Sequence, residues 1–450
     1  MRARLCFVIA FCFSLCACGG PSLRYKKEVF DLLDKSDYQK LESKITEAQK
    51  KYYGGRNELL FYLDVSSPLF NLQKYDDMHN SLARAQSLIE DDDAISLTQQ
   101  LGMLTINDST RQYKAPLFEQ ALTYFYRAAA YLQADDFNDA AVEARRAVFA
   151  LDNYRQHNNG LNDNPFVQYF ASMIFEDTGS LSSARIARQN AQNAYKNFSD
   201  WSAAREPQLA ALPKDYQDKG ELVVLHLNGK IPYKISEELL FAWHDVWFAV
   251  NANNDLQGVA PDVLDAVYAG VYGNSIKISF PKLMDNPYAV KSSAFAVRKS
   301  RDEKSSPENE CSFGEFYQTQ IAQDIAAEAQ KTLKEQLAAA FARTVTRAVT
   351  KFILSVQASN AAKNASNETA GQLVKSLLSI VNAVTEKADT RSWITLPAQI
   401  RINSVFLDEG SYDVKIIFYD GNKNPIDEHL WEKVQIKRGK RTYITFRTAK

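Results

Sequence analysis

The residue with the most sharply defined chemistry is Cys18, which closes Leu15-Cys16-Ala17-Cys18. Leucine stands three positions before it and small Ala17 just before it, the arrangement of a bacterial lipobox. There the thiol takes a diacylglyceryl group through sulfur before the peptide bond is cut, so the mature chain begins on the modified cysteine. Cys16, preceded by Ser14 and Leu15, fits that pattern less well. Arg2 and Arg4 make a basic start, and Leu5 to Ala17 runs thirteen residues without a charge. That is a signal peptide and well short of the ~20 residues a spanning helix needs. An ordinary secretory signal would end in small residues and need no thiol. Residues 1–17 are therefore expected to be removed as a lipoprotein signal, and 18–23, with Gly19, Gly20, Pro21 and Ser22, to serve as a tether. Glycine rather than aspartate follows Cys18, which points to the outer membrane with the protein facing the periplasm. Three acyl chains, a palmitate-type group on the amine among them, hold far more firmly than one.

Other candidates for chemistry are few. Removing the signal takes away Cys6, Cys12 and Cys16 and lipidation uses Cys18, so only Cys311 remains and no intramolecular disulfide is expected. The histidines are His79, His157, His226, His244 and His429; no two lie four apart and none neighbours a cysteine, so no zinc pattern emerges. His226, in an apolar strand, and His244, beside Asp245, read as structural. No Gly-x-Ser-x-Gly, phosphate loop or dinucleotide fingerprint is present. Asn251-Ala252-Asn253-Asn254-Asp255 begins like a calcium loop but has Leu256 where the sixth position needs glycine. No cofactor, metal or catalytic residue is assigned. Glycosidase carboxylates leave no local signature, so an enzyme acting on glycan or peptide stays open as the alternative. With 53 basic against 54 acidic residues, the surface is not that of a nucleic-acid binder.

The elements that would position such residues fall into two halves. Over 24–200 the apolar residues follow a helical period, and four times an aromatic or leucine follows a short polar turn: Tyr38, Tyr75, Phe137 and Leu181. Three residues after each come Leu41, Met78, Ala140 and Ala184; ten after come Ala48, Ala85, Ala147 and Ala191; nine before stand Val29, Ser66, Ala128 and Ser172. Small residues at these offsets let paired helices approach, as in a tetratricopeptide repeat. The spacings of 37, 62 and 44 residues make the array degenerate. Such an array exposes a concave face suited to a peptide or a partner helix. Arg145 and Arg146 are candidates for that face, or for ion pairs with the acidic turns.

Pro207, Pro213 and Gly220 mark a change of composition, and 215–450 reads as a mixed α+β domain. Leu222–Leu227, Asn228-Gly229 and Lys230–Ile235 read as a hairpin whose second strand carries Pro232 at an edge. Glu237–Val250 is expected as a helix, and Ile276–Phe280 and Tyr288–Val297 as strands, completing a strand region over 221–300. A long helical hairpin fills 315–388, one helix from Phe316 to about Ser359 and the other from Thr369 to Lys387, with apolar stripes expected to pack in the core. Four strands over 396–448 suggest a C-terminal antiparallel sheet packing with the earlier strands. The fold class is α+β.

Several stretches in this order carry a resemblance: Asn107-Asp108 with Tyr113 and Phe118-Glu119; Val142-Glu143-Ala144-Arg145-Arg146; Asp163-Asn164-Pro165-Phe166 with Tyr169; Asp389-Thr390-Arg391-Ser392-Trp393 with Leu396-Pro397. The chain resembles a family of bacterial envelope lipoproteins with a tetratricopeptide-like N-terminal half and no established activity. The resemblance implies a place in cell-envelope assembly, since such proteins occur near genes for small lipoproteins that activate penicillin-binding proteins. It brings no catalytic residues. The expectation is a lipid-anchored periplasmic scaffold that binds envelope proteins on its helical array.

Overall fold

The computed structural model describes residues 20–96, 112–157, 163–209, 218–242, 275–300, 312–337 and 388–450. Cys18, Cys311, the calcium-like run at 251–255 and the second helix of the expected hairpin lie outside them.

The first half is helical: α1 (Leu23–Asp34), α2 (Tyr38–Glu47), the short α3 (Gln49–Tyr52), α4 (Glu58–Asn71), α5 (Tyr75–Ser96), α6 (Leu117–Gln133), α7 (Phe137–His157), α8 (Pro165–Asp177) and α9 (Leu181–Phe198). The four turns read from sequence have one geometry. Ser36, Gln73, Asp135 and Gly179 have φ of 52°, 58°, 61° and 73°. In each, the left-handed residue's N–H reaches a carbonyl three back, and the next N–H one five back, as Ser36 to Leu33 and Asp37 to Leu32, or Gly179 to Glu176 and Ser180 to Phe175. This closing motif satisfies the last carbonyls of a helix and reverses the chain, and the next helix opens on Tyr38, Tyr75, Phe137 or Leu181. The small positions follow suit: Val29, Ser66, Ala128 and Ser172 are buried, as are Leu41, Met78, Ala140 and Ala184. Ala85, Ala147 and Ala191 are buried too, whereas Ala48 is half-buried at the end of α2. Neighbouring helices are also tied by a buried polar chain, Arg127 donating to Gln86 (2.6 Å) and pairing with Glu143 (3.0 Å).

The strands are β1 (Lys219–Asn228), β2 (Tyr233–Ala242), β3 (Ser275–Met284), β4 (Ser292–Lys299), β5 (Tyr317–Gln318), β6 (Gln320–Asp324), β7 (Gln399–Asp408), β8 (Gly410–Tyr419), β9 (Pro425–Ile436) and β10 (Arg441–Thr448). One sheet runs β10-β1-β7-β6, a second β5-β4-β8-β9, and β2 and β3 form a separate ribbon. β1 is central, parallel to β10 and antiparallel to β7. Alternate β1 side chains serve two cores: Val223, Leu225 and Leu227 pack with the helices, while Leu222 and Val224 pack with Phe295, Val414, Ile416 and Phe418 of the second sheet. The layers are thus helices, first sheet, second sheet.

Four expectations are corrected. β1 and β2 are not a hairpin: both edges of β1 are taken by β10 and β7, and the chain leaves the sheet through Gly229 (φ 73°). Glu237–Ala242, expected as the start of a helix, is strand paired with β3. The helix expected from Phe316 begins later, because Gln320–Asp324 first pairs with β7; residues 325–337 are then helical (α10). The four C-terminal strands lie where expected but divide between two sheets, and β10 pairs parallel rather than antiparallel.

The two halves share one core. Arg441 of β10 pairs with Glu176 (2.8 Å) and Asp177 (3.0 Å) at the end of α8 and with Glu221 of β1 (2.7 Å). Burial pushes the Asp177 carboxyl up to about 6, against the pull of Arg441. Among the described residues, no helix is long and apolar enough to cross a membrane.

Candidate functional site

Two clusters of buried ionisable groups lie where the helices meet the strands. The first grips the segment entering β7, residues 388–398, which runs as an irregular strap. Asp64 sits fully buried in the apolar α4. Its Oδ1 accepts the N–H groups of Ile394 (2.9 Å) and Thr395 (3.4 Å), and Oδ2 accepts the Tyr53 hydroxyl (2.9 Å). Glu119 of α6 accepts the Trp393 N–H at Oε1 (3.1 Å) and the Tyr113 hydroxyl at Oε2 (2.5 Å). Lys26 of α1, itself buried, donates to the carbonyls of Thr390 (2.7 Å) and Lys234 (2.9 Å). Arg391 pairs with Asp389 and reaches Asn57 Oδ1 (3.0 Å). Trp393 is fully buried against Tyr126, ring centroids 5.7 Å apart, and donates its Nε1–H to Thr395 Oγ1 (2.9 Å).

Desolvation dominates here. Burial pushes Asp64 up to about 8 and Glu119 up to about 7, against the donors that favour their ionised forms. Burial brings Lys26 down to about 8. Both carboxyls have protein donors on each oxygen, three of them backbone N–H groups of the strap, so the cluster holds backbone.

The second cluster surrounds a cleft of about 220 Å³ whose walls include Asp163, Asn164, Trp201, Glu328, Lys331 and Glu335. Asn164 caps α8 through the Val167 N–H (3.0 Å), with Pro165 next, and its Nδ2 reaches Glu328 Oε2 (3.4 Å). Gln323 Nε2 donates to Glu328 Oε1 (3.0 Å). Asp163 accepts from the Asn164 N–H (2.8 Å) and Gln168 Nε2 (3.3 Å) and lies 3.6 Å from Arg155. Glu328, Lys331, Thr332 and Glu335 share one face of α10 by their spacing. Asp324 caps that helix through the Ala327 N–H (3.1 Å) and holds the Ala203 N–H (3.1 Å) with its other oxygen, so one carboxylate fixes both the Trp201 loop and the Glu328 helix. Trp201 packs on Phe198 at 4.6 Å, and the Lys331 ammonium lies over its ring at 4.2 Å.

Burial pushes Glu328 up to about 8, against the Gln323 amide that favours its ionised form, and it also raises Asp163. Buried polar atoms without a protein partner occur here at Oε1 of Gln168, Oε1 of Gln323 and Nε1 of Trp201, as they do at the strap at Oγ of Ser392.

The residues singled out from sequence are not brought together. Arg145 and Arg146 are exposed on α7, and Arg146 pairs with Glu143 of its own helix (3.3 Å) rather than with an acidic turn. Elsewhere on the helices, the strap packs against α1, α4 and α6. His226 is buried between Ser293 (2.8 Å) and Thr448 (2.7 Å), the structural role expected of it. Sequence reasoning missed Lys26, Asp64, Trp201 and Glu328. A single carboxylate inside the apolar run Leu59–Phe70 was the available signal for Asp64. Glu328 had none, lying among many charges on an amphipathic helix. Among the described residues, no group of three metal-ligating side chains is placed to hold an ion.

Compared with family models and with curated proteins, the chain matches none of them.

Proposed function

We propose that the protein is a lipid-anchored scaffold of the bacterial envelope, tethered through Cys18 to the outer membrane and facing the periplasm, with a tetratricopeptide-like helical half that presents partner proteins with its outer surface. The observation that carries this reading is the set of exposed apolar residues on two helices of that half. Val142, Arg145 and Phe149 stand at helical spacing along α7, with Phe149 68% exposed, and Leu181 and Ile186 of α9 are exposed as well. Exposed apolar side chains beside arginine are the composition of a recognition surface. The shared turn geometry and the buried small residues support the repeat assignment.

The test is photocrosslinking in cells from a reactive residue placed at Phe149, with one at Leu23 as control. An envelope protein captured from 149 and lost when Arg145→Glu is added supports the scaffold; no capture from either site overturns it. The anchor is tested separately, because Cys18→Ser should move the chain from the membrane to the soluble fraction.

A second reading, an envelope enzyme acting on glycan or peptide, is favoured by one observation. The cleft between the halves is lined by two carboxyls, Glu328 and, beside the facing helix cap, Asp163, the kind of pair that glycosyl hydrolysis uses. Turnover of an oligosaccharide by the full chain, abolished in Glu328→Gln, is its test.

A further inference from the structure

We propose that the cleft beside Trp201 binds one ring of a neutral, hydroxyl-rich saccharide, with Glu328 and its amide neighbours reading the hydroxyls. The proposal shares its location with the second reading above but needs no catalysis.

Size is the first argument. A cleft of about 220 Å³ is smaller than the ~300–1,000 Å³ of sites for extended small molecules, and suits a single ring with the rest of the chain outside.

Wall chemistry is the second. Phe118, Phe198 and Trp201 supply apolar surface. A sugar ring presents one face of C–H groups to such a surface and an edge of hydroxyls to polar groups. The polar groups here are those that pair with hydroxyls in either direction: the Asn164 amide, the Glu328 carboxyl and, at the mouth, Thr332 and Gln336.

Charge is the third. Asp163 faces Arg155 at 3.6 Å, Lys331 reaches Glu335 at 4.0 Å, and burial favours the neutral form of Glu328. The charges around the cleft are paired with opposite ones, so neither an anion nor a cation is strongly attracted, and a neutral ligand leaves them undisturbed.

Lys331 occupies the Trp201 face, so the bound ring displaces its ammonium, and the indole reports the event.

The experiment titrates the full chain with chitotriose and, separately, with maltotriose and an acidic tripeptide, following tryptophan fluorescence and binding heat. Saturable binding of a neutral trisaccharide, at least about tenfold tighter than the peptide, is expected. Trp201→Ala should weaken it about tenfold or more, and Glu328→Ala similarly, with thermal melts confirming that each variant folds. Glu328→Gln, which keeps a neutral hydrogen-bonding group, should retain binding within about threefold and lose the decline expected above pH 8. Absence of saccharide binding in the folded wild type overturns the proposal, as does equal binding by Trp201→Ala and Glu328→Ala. Hydrolysis is read separately from reducing ends: binding without hydrolysis removes the catalytic reading and leaves this one standing.

Discussion

The strap and the cleft are built from the same material and behave differently. Each lies where helices meet strands, and each holds carboxyls whose affinity for protons is raised by burial. At the strap, Asp64 and Glu119 have protein donors on all four oxygens, three of the donors being backbone N–H groups of residues 393–395. In the cleft, Glu328 is held by two amides and also lines an open cavity of about 220 Å³. A displaced pKa therefore separates nothing by itself, because structural networks perturb carboxyls as strongly as working sites do. The distinction lies in access: the strap carboxyls are sealed in packed core, whereas the Glu328 carboxyl borders a cleft.

Four measurements break or sharpen that comparison. The largest effect is expected at the strap: Trp393→Ala removes a fully buried indole and should cost about 4 kcal/mol in urea unfolding. Asp64→Ala strips the acceptor from the Ile394 and Thr395 N–H groups and should cost about 3 kcal/mol. Glu328→Ala should cost about 1 kcal/mol, because water entering from the cleft can replace its carboxyl; a loss equal to that at Asp64 would erase the contrast. The fourth measurement is of pH dependence. A carboxyl with a raised folded value binds a proton in the native state that the unfolded chain releases, so its contribution falls as pH rises from about 4 to about 8. Asp64→Asn, neutral throughout, should flatten stability across that window by close to one proton, seen as urea midpoints at pH 5 and pH 8 that lie nearer together than in the wild type.

Much of the fold was readable because it rests on local rules. The four polar turns were visible since a left-handed residue closing one helix and a bulky residue opening the next lie adjacent in sequence. The strand run Leu222–Leu227 was also plain, but its partners were not. An Asn-Gly pair after a strand ordinarily folds it back on itself, and here that local preference lost to β7 and β10, which pair from far along the chain. Gln320–Asp324 misled for the same reason: a helix-like composition was overridden by a place beside β7. The stretches that carried the family resemblance, among them Tyr113 with Glu119, Asp163-Asn164 and Asp389–Trp393, proved to be strap and cleft residues. No role was read for them from sequence, because their convergence depended on contacts across hundreds of residues, which no window of sequence contains.

The parallel pairing of β10 with β1 has a consequence for how the protein is made. Glu221 lies beside Arg441, 220 residues further on, and the carbonyl of Lys450 receives the N–H groups of Ala289 and Val290. The first sheet therefore cannot close until the last stretch of this sequence has been synthesised and delivered. Until then the helices, complete early, present an apolar surface and the carboxyls of Asp64 and Glu119 to whatever is nearby. Late closure of long-range pairs is slow and leaves a partly folded chain open to association. A nascent molecule is thus most vulnerable in its helical half, and its escape depends on the arrival of its final strand.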